Sequence, residues 1–445
     1  MTADLPRSSS RSASLYARAL KVLPGGVSRN TVLREPHPLY ADRASGCRVT
    51  DIEGVERIDF ANNMASLIHG HAHPAIVAAV TEQLARGTAF TLATEIEVRY
   101  AEHLCGRNEG FEKLRFVSSG TEAVMASLKA ARAFTGRHKI AKVEGAYHGV
   151  YDYAEISQTS NPSNWGSAAH PASVPVAFGT PPSVLEDVVV IPFNDPQHAL
   201  AILDEHRGEL ACVLLDLMPH RVGLTPAEPE FVSALRDWTL VDGSLLVYDE
   251  VITFRSEYGG AQEWYDAVPD LTALGKLIGG GFPVGAIAGR RDVMDVMNPL
   301  VGDVLFPHSG TFSANPVTMT AGLVTMEMFD HDAVAHVNGL ARRAVDGIES
   351  AIEATGVSAC VTAGGSMIRV HLKDAPPANY REAFPTLRES RSLRLLLENL
   401  LDAGILMINT CSASMSTQMG EDEIDQLVAA MRCGFEELVL LPPGR

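Results

Sequence analysis

The chain has 445 residues, 46% hydrophobic and 20% charged, so it is long and apolar enough to bury a sizeable core and is not a disordered linker. Its 36 Lys and Arg residues against 54 Asp and Glu residues give a formal net charge of −18, which argues against a surface that binds nucleic acid or an acidic membrane. The six cysteines are far apart, no apolar run is long enough to span a membrane, and the first residues contain no apolar signal-peptide core. We therefore expect a cytoplasmic protein with reduced thiols and no membrane span.

Short apolar runs alternate with longer helical patterns through the middle of the chain. This alternation predicts an α/β fold in which a mostly parallel sheet is covered by helices on both faces. The expected strands are 115–119, 212–216, 244–249 and 285–289, and the expected helices are about 121–134 and 230–238.

The two ends of the chain lack the regular strand–helix alternation of the middle. Short strands are expected at 48–52, 57–60, 367–371 and 405–408, with helices at about 333–353 and 390–403. We expect three parts: an N-terminal segment (1–65) that packs on both domains, a large domain (66–314) and a smaller α+β C-terminal domain (315–445).

The first candidate site is the strand-to-helix junction at Ser118–Glu122. The free N–H groups of a helix N-terminus and the hydroxyls of Ser119 and Thr121 could hold a phosphate, and Gly120 lies between them. An ordinary N-cap is the alternative, and it is the better interpretation when the junction is taken alone. Ligands in open α/β sheets bind at the carboxyl ends of strands, which favours the phosphate.

Two further candidates also follow apolar strands. Asp249 ends the run Leu245–Tyr248, where sheet proteins place reactive groups; a carboxylate that caps the next element is the alternative. Tyr147 and His148, between two glycines, could stack on a planar ring, although such a pair is more often structural.

Lysine is scarce, with only seven residues, and most lie among charged or polar neighbours. Lys276 instead lies between apolar residues and a triple glycine, where an amine loses its charge more readily and can form a Schiff base. A snorkelling lysine beside a flexible loop is the alternative. Phosphate-binding lysine and dinucleotide motifs do not fit, because Asp270 and Val284 occupy positions where those motifs need glycine.

His69, His71 and His73 alternate along the chain before Pro74. They have no acidic or cysteine neighbour in the sequence, so we interpret them as part of a loop and predict no metal site.

A phosphate cradle, a carboxylate, a stacking aromatic and a nucleophilic amine together describe pyridoxal 5′-phosphate (PLP) better than any other cofactor. The chain resembles the class III (fold type I) PLP-dependent aminotransferases, in the branch that contains glutamate-1-semialdehyde aminomutases and β-amino-acid aminotransferases. The matching segments span nearly the whole chain: PGGVSRN (24–30), SSGTEA (118–123), ARAFTGRHKI (131–140), GAYHG (145–149), LLVYDEVIT (245–253), LTALGKLIGGGFPVGA (271–286) and HSGTFSANP (308–316).

The resemblance implies a role for each candidate. Lys276 would form the Schiff base and move the substrate proton, and Asp249 would hold the protonated ring nitrogen. Ser119, Gly120 and Thr121 would bind the phosphate, and Tyr147, His148 and Val251 would contact the ring, with Tyr147 and Val251 on opposite faces.

The resemblance also implies an obligate homodimer, because Thr311 matches a threonine that reaches the phosphate from the neighbouring subunit. Arg29 matches an arginine that binds a substrate carboxylate. The chain departs from its relatives at Asp216, where a Glu-Pro pair is common, and at Thr410, where β-amino-acid aminotransferases carry a second arginine. Arg221 is a candidate substitute for that arginine.

The first functional hypothesis is an aminotransferase that moves an amino group from a carboxylate-bearing amine, most simply a β-amino acid, to a keto acid. The second is an aminomutase that moves the group within one molecule and needs no external acceptor, which the absence of an arginine at Thr410 favours. The third is a non-catalytic PLP-fold binding protein, against which Lys276 and Asp249 both argue. We expect small-molecule amino and keto substrates as partners, and neither nucleic acid nor a membrane.

Overall fold

The computed structural model describes residues 10–440, so nine residues of the predicted N-terminal segment and five of the predicted C-terminal domain lie outside the described chain. The α-helices are α1 (Arg11–Ala19), α2 (Asn62–Ala65), α3 (Pro74–Arg86), α4 (Glu95–Arg107), α5 (Gly120–Thr135), α6 (Asp152–Glu155), α7 (Pro182–Asp187), α8 (Pro196–Asp204), α9 (Pro229–Asp242), α10 (Arg291–Met294), α11 (Pro316–Met328), α12 (His331–Thr355), α13 (Tyr380–Ala383), α14 (Leu387–Asp402) and α15 (Glu421–Leu440). The strands are β1 (Ala41–Ser45), β2 (Arg48–Asp51), β3 (Glu56–Asp59), β4 (Lys113–Val117), β5 (Lys139–Val143), β6 (Val188–Ile191), β7 (Leu210–Leu215), β8 (Leu245–Asp249), β9 (Leu271–Gly275), β10 (Gly285–Gly289), β11 (Cys360–Gly364), β12 (Met367–His371), β13 (Ile405–Leu406) and β14 (Ser412–Ser414).

Seven strands form the central sheet in the order β4-β10-β9-β8-β7-β5-β6. The pairs from β9 to β6 are parallel, whereas β10 runs antiparallel to both β4 and β9. The predicted mostly parallel sheet is therefore confirmed. Because β10 opposes both of its neighbours, β4 points the same way as the parallel strands, and the carboxyl ends of β4, β7, β8 and β9 meet at one edge.

Helices cover both faces of this sheet because its strands are apolar on both sides. In β8, Leu246 packs in the cluster that contains Phe231 of α9, while the next residue, Val247, packs in the cluster that contains Val124 of α5. Successive strand residues point to opposite faces, so a continuously apolar run requires a helix layer on each side.

A smaller C-terminal domain adjoins the central sheet, as predicted. It contains the antiparallel sheet β11-β12-β14, and α12 packs against α15. Strand β13 leaves this region and pairs in parallel with β3, which places Ile405 opposite Ile58 of the N-terminal segment. The first and last thirds of the chain therefore share a sheet.

The Arg255 guanidinium joins these parts at a fully buried position. Its Nε donates to the Ser366 hydroxyl (2.8 Å), and its terminal nitrogens donate to the carbonyls of Ala65 (2.9 Å) and Met415. No carboxylate within the described residues lies within ion-pair distance, and burial lowers the pKa of this arginine to about 9. The joint is thus held by directed hydrogen bonds rather than by a pair of opposite charges.

Within residues 10–440 no helix is both long enough and apolar enough to cross a membrane. The same residues contain no group of three or more His, Cys, Asp or Glu side chains placed to hold a metal ion. His69 is hydrogen-bonded to Thr417 (2.8 Å) and to the Thr325 carbonyl (3.0 Å), and His71 is bonded to Asp59 (2.8 Å).

Candidate active site

A cavity of about 350 Å³ opens at the edge where the carboxyl ends of β4, β7, β8 and β9 meet. This is where an open α/β sheet binds ligands, because the loops that leave the strands diverge there. The predicted residues that line the cavity are Ser119, Gly120, Thr121, Tyr147, His148, Asp249, Val251 and Lys276. Residues that are more than 150 positions apart in the sequence are thus brought together.

The turn after β4 presents the N-terminus of α5 to the cavity. The Ser119 hydroxyl caps the helix by accepting the Glu122 N–H (3.1 Å), so the N-cap interpretation is correct. A hydroxyl that accepts one bond can still donate another, so capping leaves Ser119 able to bind an anion as well. A Cβ at Gly120 would lie only 2.7 Å from Val251, so this turn excludes a side chain and leaves its N–H groups accessible.

Asp249 ends β8 and is held in a fixed orientation. One carboxylate oxygen accepts the Val251 N–H (3.0 Å), and the other is bonded to His148 Nδ1 at 2.7 Å. The exposed fractions of the His148 and Asp249 side chains are 0% and 6%, so water does not compete for this bond. Burial lowers the pKa of His148 although Asp249 opposes the shift, so we assign a neutral ring whose Nδ1–H donates to the carboxylate.

Lys276 follows β9 directly and has φ of +47°, a left-handed conformation that is strained for a residue with a side chain. Burial lowers the pKa of its amine, while the charges of Asp249 and Asp216 oppose that shift. A Cβ on the preceding Gly275 would lie 3.1 Å from Val251 and 3.3 Å from the Gly120 backbone, so the amine enters the cavity beside the phosphate turn. Proton release from this lysine is therefore easier than from a lysine in water.

Asp216, at the end of β7, is a second carboxylate in the cavity wall. It accepts the Met218 N–H (2.9 Å). Burial and the nearby charge of Asp249 raise the pKa of Asp216 well above its ordinary value, so this carboxyl takes up a proton more readily than an aspartate in water does. The sequence marked it only as a departure from relatives.

Arg29 and Thr311 do not line the cavity. Arg29 is exposed, but its guanidinium donates to the Asn63 side chain (2.8 Å), and Asn63 is part of the lining. Thr311 is exposed in the segment after β10. Arg29 is thus one contact from the cavity, and Thr311 lies on the outer surface of this chain.

The sequence interpretation missed Lys142 of β5, whose side chain is completely buried. Its ammonium donates to the carbonyls of Ala146 (2.9 Å) and Ile156 (2.5 Å), which lie on either side of Tyr147 and His148 in the chain. Burial, followed by the charge of Arg221, lowers its pKa to about 7. The apolar neighbours Ile140 and Val143 give the signal that identified Lys276, and the same test applied to every lysine would have found this residue.

The C-terminal domain contacts the loop that follows Asp216 through a polar cluster around His220. The His220 ring is bonded to the Thr410 hydroxyl (3.0 Å), and its carbonyl accepts a bond from the Arg369 guanidinium (2.8 Å). Burial lowers the pKa of His220 to about 3, and the charges of Arg369, Lys276 and Arg221 act in the same direction. Its ring is therefore neutral at any working pH.

The cavity fits PLP in three independent respects. It offers accessible helix N–H groups for a phosphate, a buried carboxylate for a protonated ring nitrogen, and an amine with a lowered pKa for an aldehyde carbon. The side chains of Tyr147 and Val251 lie in the same lining and supply an aromatic and an aliphatic surface for a flat ring.

Comparisons with known proteins agree with this geometry. The family model "Aminotransferase class-III" matches residues 31–431. A glutamate-1-semialdehyde 2,1-aminomutase from Methanothermobacter thermautotrophicus is 39% identical over 84% of this chain and 86% of its own length. Among solved structures, an ω-transaminase from Sphaerobacter thermophilus is 44% identical with a TM-score of 0.95, over 97% of this chain and 99% of that chain.

Two other solved structures carry chemical information in their descriptions. A transaminase with PLP bound is 42% identical with a TM-score of 0.88, over 96% of this chain and 97% of that chain. A β-phenylalanine aminotransferase from Variovorax paradoxus is 32% identical with a TM-score of 0.85, over 97% and 95%. The descriptions of the similar proteins thus include both amino transfer between molecules and an aminomutase.

Proposed function

Because the chain belongs to the class-III aminotransferase family, whose cofactor is PLP, we propose that it transfers an amino group from a carboxylate-bearing amine, most simply a β-amino acid, to a keto acid. The observation that carries the proposal is the meeting of Lys276, Asp249 and the α5 N-terminus in one cavity. The similarity to a β-phenylalanine aminotransferase supports the substrate class.

When bound, PLP supplies an aldehyde that condenses with amines and a ring that accepts the electron pair left when a proton departs from the substrate carbon. Ser119, Gly120 and Thr121 would hold its phosphate at the positive end of α5. Asp249, oriented by His148 and by the Val251 N–H, would keep the proton on the ring nitrogen, which maintains the ring as an electron acceptor.

Lys276 would carry the proton in each half-reaction. Its amine has a lowered pKa, so it can take a proton from the substrate carbon and return it to a neighbouring carbon within the same cavity. Arg29, bonded to the lining residue Asn63, would bind the carboxylate of the amino donor.

A panel of amino donors, assayed with and without pyruvate or 2-oxoglutarate while the cofactor spectrum is followed, tests the proposal. An aminotransferase converts the bound cofactor with donor alone and turns over repeatedly only when a keto acid is added. The Lys276→Ala variant should bind the cofactor and lose turnover. Sustained turnover in that variant would contradict the mechanism.

An intramolecular aminomutase is the second candidate, supported by the 39% identical relative with that name. Thr410, which is bonded to His220, supplies no positive charge for an external acceptor at the position where β-amino-acid aminotransferases carry an arginine. Isomerisation of glutamate-1-semialdehyde without any added keto acid would favour this candidate over the first.

We also propose a homodimer in which Thr311 reaches the phosphate of the partner subunit. Thr311 is exposed and lies away from the cavity of its own chain, and the neighbouring Phe312 has 63% of its surface exposed. Mixing Lys276→Ala chains with Thr311→Val chains would test it, because a mixed dimer regains one intact site whereas independent monomers regain none. The division of the chain near residues 65 and 315 and the cytoplasmic location stay predictions from the sequence.

A further inference from the structure

The loop between β7 and α9 begins at Asp216, which lines the cavity, and is firmly attached to the C-terminal domain. The Arg369 guanidinium binds the His220 carbonyl (2.8 Å), and the Thr362 hydroxyl and the His371 ring bind the Gly223 carbonyl (2.6 and 2.9 Å). The backbone on both sides of Arg221 is therefore fixed.

The Arg221 side chain is the exception in this loop. It is exposed, and its guanidinium makes one long hydrogen bond, 3.4 Å, to the Gln158 carbonyl. Within residues 10–440 no carboxylate lies within 4.0 Å of it, which sets it apart from paired arginines such as Arg137 and Arg381. A rigid backbone thus holds a guanidinium whose five donors are almost entirely free.

This guanidinium lies at the rim of the cavity. Its central carbon is 5.7 Å from the centroid of the Tyr147 ring, and Tyr147 lines the cavity. Arg29 approaches through Asn63, a different part of the lining. Arg221 and Arg29 therefore lie beside different residues of the cavity lining.

Several positively charged groups lie on this side of the cavity, and Arg221 is not paired with any of the carboxylates described there. Arg221, Arg369 and Lys276 all act on the His220 ring, and Arg221 also acts on the buried amine of Lys142. Arg369 is bonded to a carbonyl rather than to a carboxylate. An anionic ligand would relieve this repulsion, and a guanidinium with free parallel donors matches a carboxylate.

We propose that Arg221 binds the carboxylate of the keto-acid acceptor at the Tyr147 rim of the cavity. The inference rests on the proposed amino transfer and assigns the acceptor's carboxylate to a residue other than Arg29. The ligand class is a small 2-oxo acid such as pyruvate.

The test compares Arg221→Gln with the wild type in the acceptor half-reaction. Enzyme is first converted by a donor, freed of excess donor, and mixed with pyruvate or with pyruvamide, its neutral analogue. We expect the KM for pyruvate to rise roughly 10- to 100-fold, as for the loss of a charge-assisted hydrogen bond, while the KM for pyruvamide changes less than about twofold. Arg221→Lys should recover part of the loss, and Arg342→Gln, an exposed arginine on α12, should change neither value.

A binding measurement separates this inference from the proposed function. Propionate is titrated calorimetrically into the holoenzyme of Arg29→Gln and of Arg29→Gln/Arg221→Gln, so that Arg29 does not contribute. A weaker propionate affinity in the double variant supports the Arg221 site even if no acceptor is turned over. Absence of turnover with every acceptor would refute only the transferase proposal. Equal losses for pyruvate and pyruvamide, or an unchanged propionate affinity, would overturn the inference.

Discussion

Replacing His148 with Leu removes the donor to one oxygen of Asp249, whereas replacing it with Asn keeps an N–H at nearly the position of Nδ1. The bond is short, 2.7 Å, and both side chains are almost fully buried, at 0% and 6% exposure. A hydrogen bond to a charged group is worth about 1.5–3 kcal/mol. If that energy orients Asp249 toward the ring nitrogen, its loss lowers kcat by roughly 10- to 150-fold.

The assay measures kcat and KM separately for the two variants, together with the dissociation constant of PLP from the apoenzyme. We expect His148→Leu to lose kcat over that range, and His148→Asn to stay within about fivefold of the wild type. His198 provides a matched control, because its Nδ1 is also 2.7 Å from a carboxylate, that of Asp195. These two side chains, at the start of α8, are 44% and 39% exposed, so water competes for their hydrogen bond. Wild-type kcat in His148→Leu, or equal losses in both variants, would refute the argument.

Three further predictions concern buried charge. Lys142→Met should weaken PLP binding about tenfold in a cofactor titration, because the carbonyls beside the Tyr147 loop lose their donor, while the same change at the exposed Lys129 should not. Arg255→Lys keeps the charge but cannot reach three separated acceptors, so chemical denaturation should show a loss of about 3 kcal/mol. Burial lowers the pKa of His69 to about 4 and of His371 to about 3, below the unfolded value of 6.5, so the unfolded state binds more protons between these values. The free energy of unfolding should therefore fall by about 1.4 kcal/mol per pH unit for each histidine as the pH drops below about 6.5, and His371→Gln should make that slope shallower.

The elements that the sequence predicted well are those whose pattern is local. Strand β10 was expected at 285–289 and has those bounds, and the helix expected at 121–134 is Gly120–Thr135. The direction of β10 was not predicted, because an apolar run carries no direction. The short connection from Gly275 to Gly285 did indicate an antiparallel direction. A crossover between parallel strands needs about a dozen residues or more, usually with a helix, and this connection is shorter.

Other features depend on partners that are remote in the sequence. Arg255 and Arg369 are buried because they donate to hydroxyl and carbonyl oxygens of residues at least 111 positions away. An arginine in a sequence looks the same whether it is buried or solvated. The pKa of Asp216 is likewise raised first by burial and then by the charge of Asp249, which belongs to the neighbouring strand. Only the order of strands in the sheet brings these carboxylates together.

The two lysines of the site region show why an apolar setting alone does not identify a nucleophile. Lys142 is the more deeply buried, and burial lowers its pKa to about 7, yet both of its hydrogen bonds go to carbonyls inside the protein. Lys276 lies at the carboxyl edge of the sheet and lines the cavity. A nucleophilic amine must face the ligand, so Lys142, whose N–H groups are held by carbonyls inside the protein, is not placed to react, whereas Lys276 lines the cavity. This position combines a glycine at 275, packed against Val251 and the Gly120 backbone, with a left-handed backbone at Lys276, whose side chain lines the cavity.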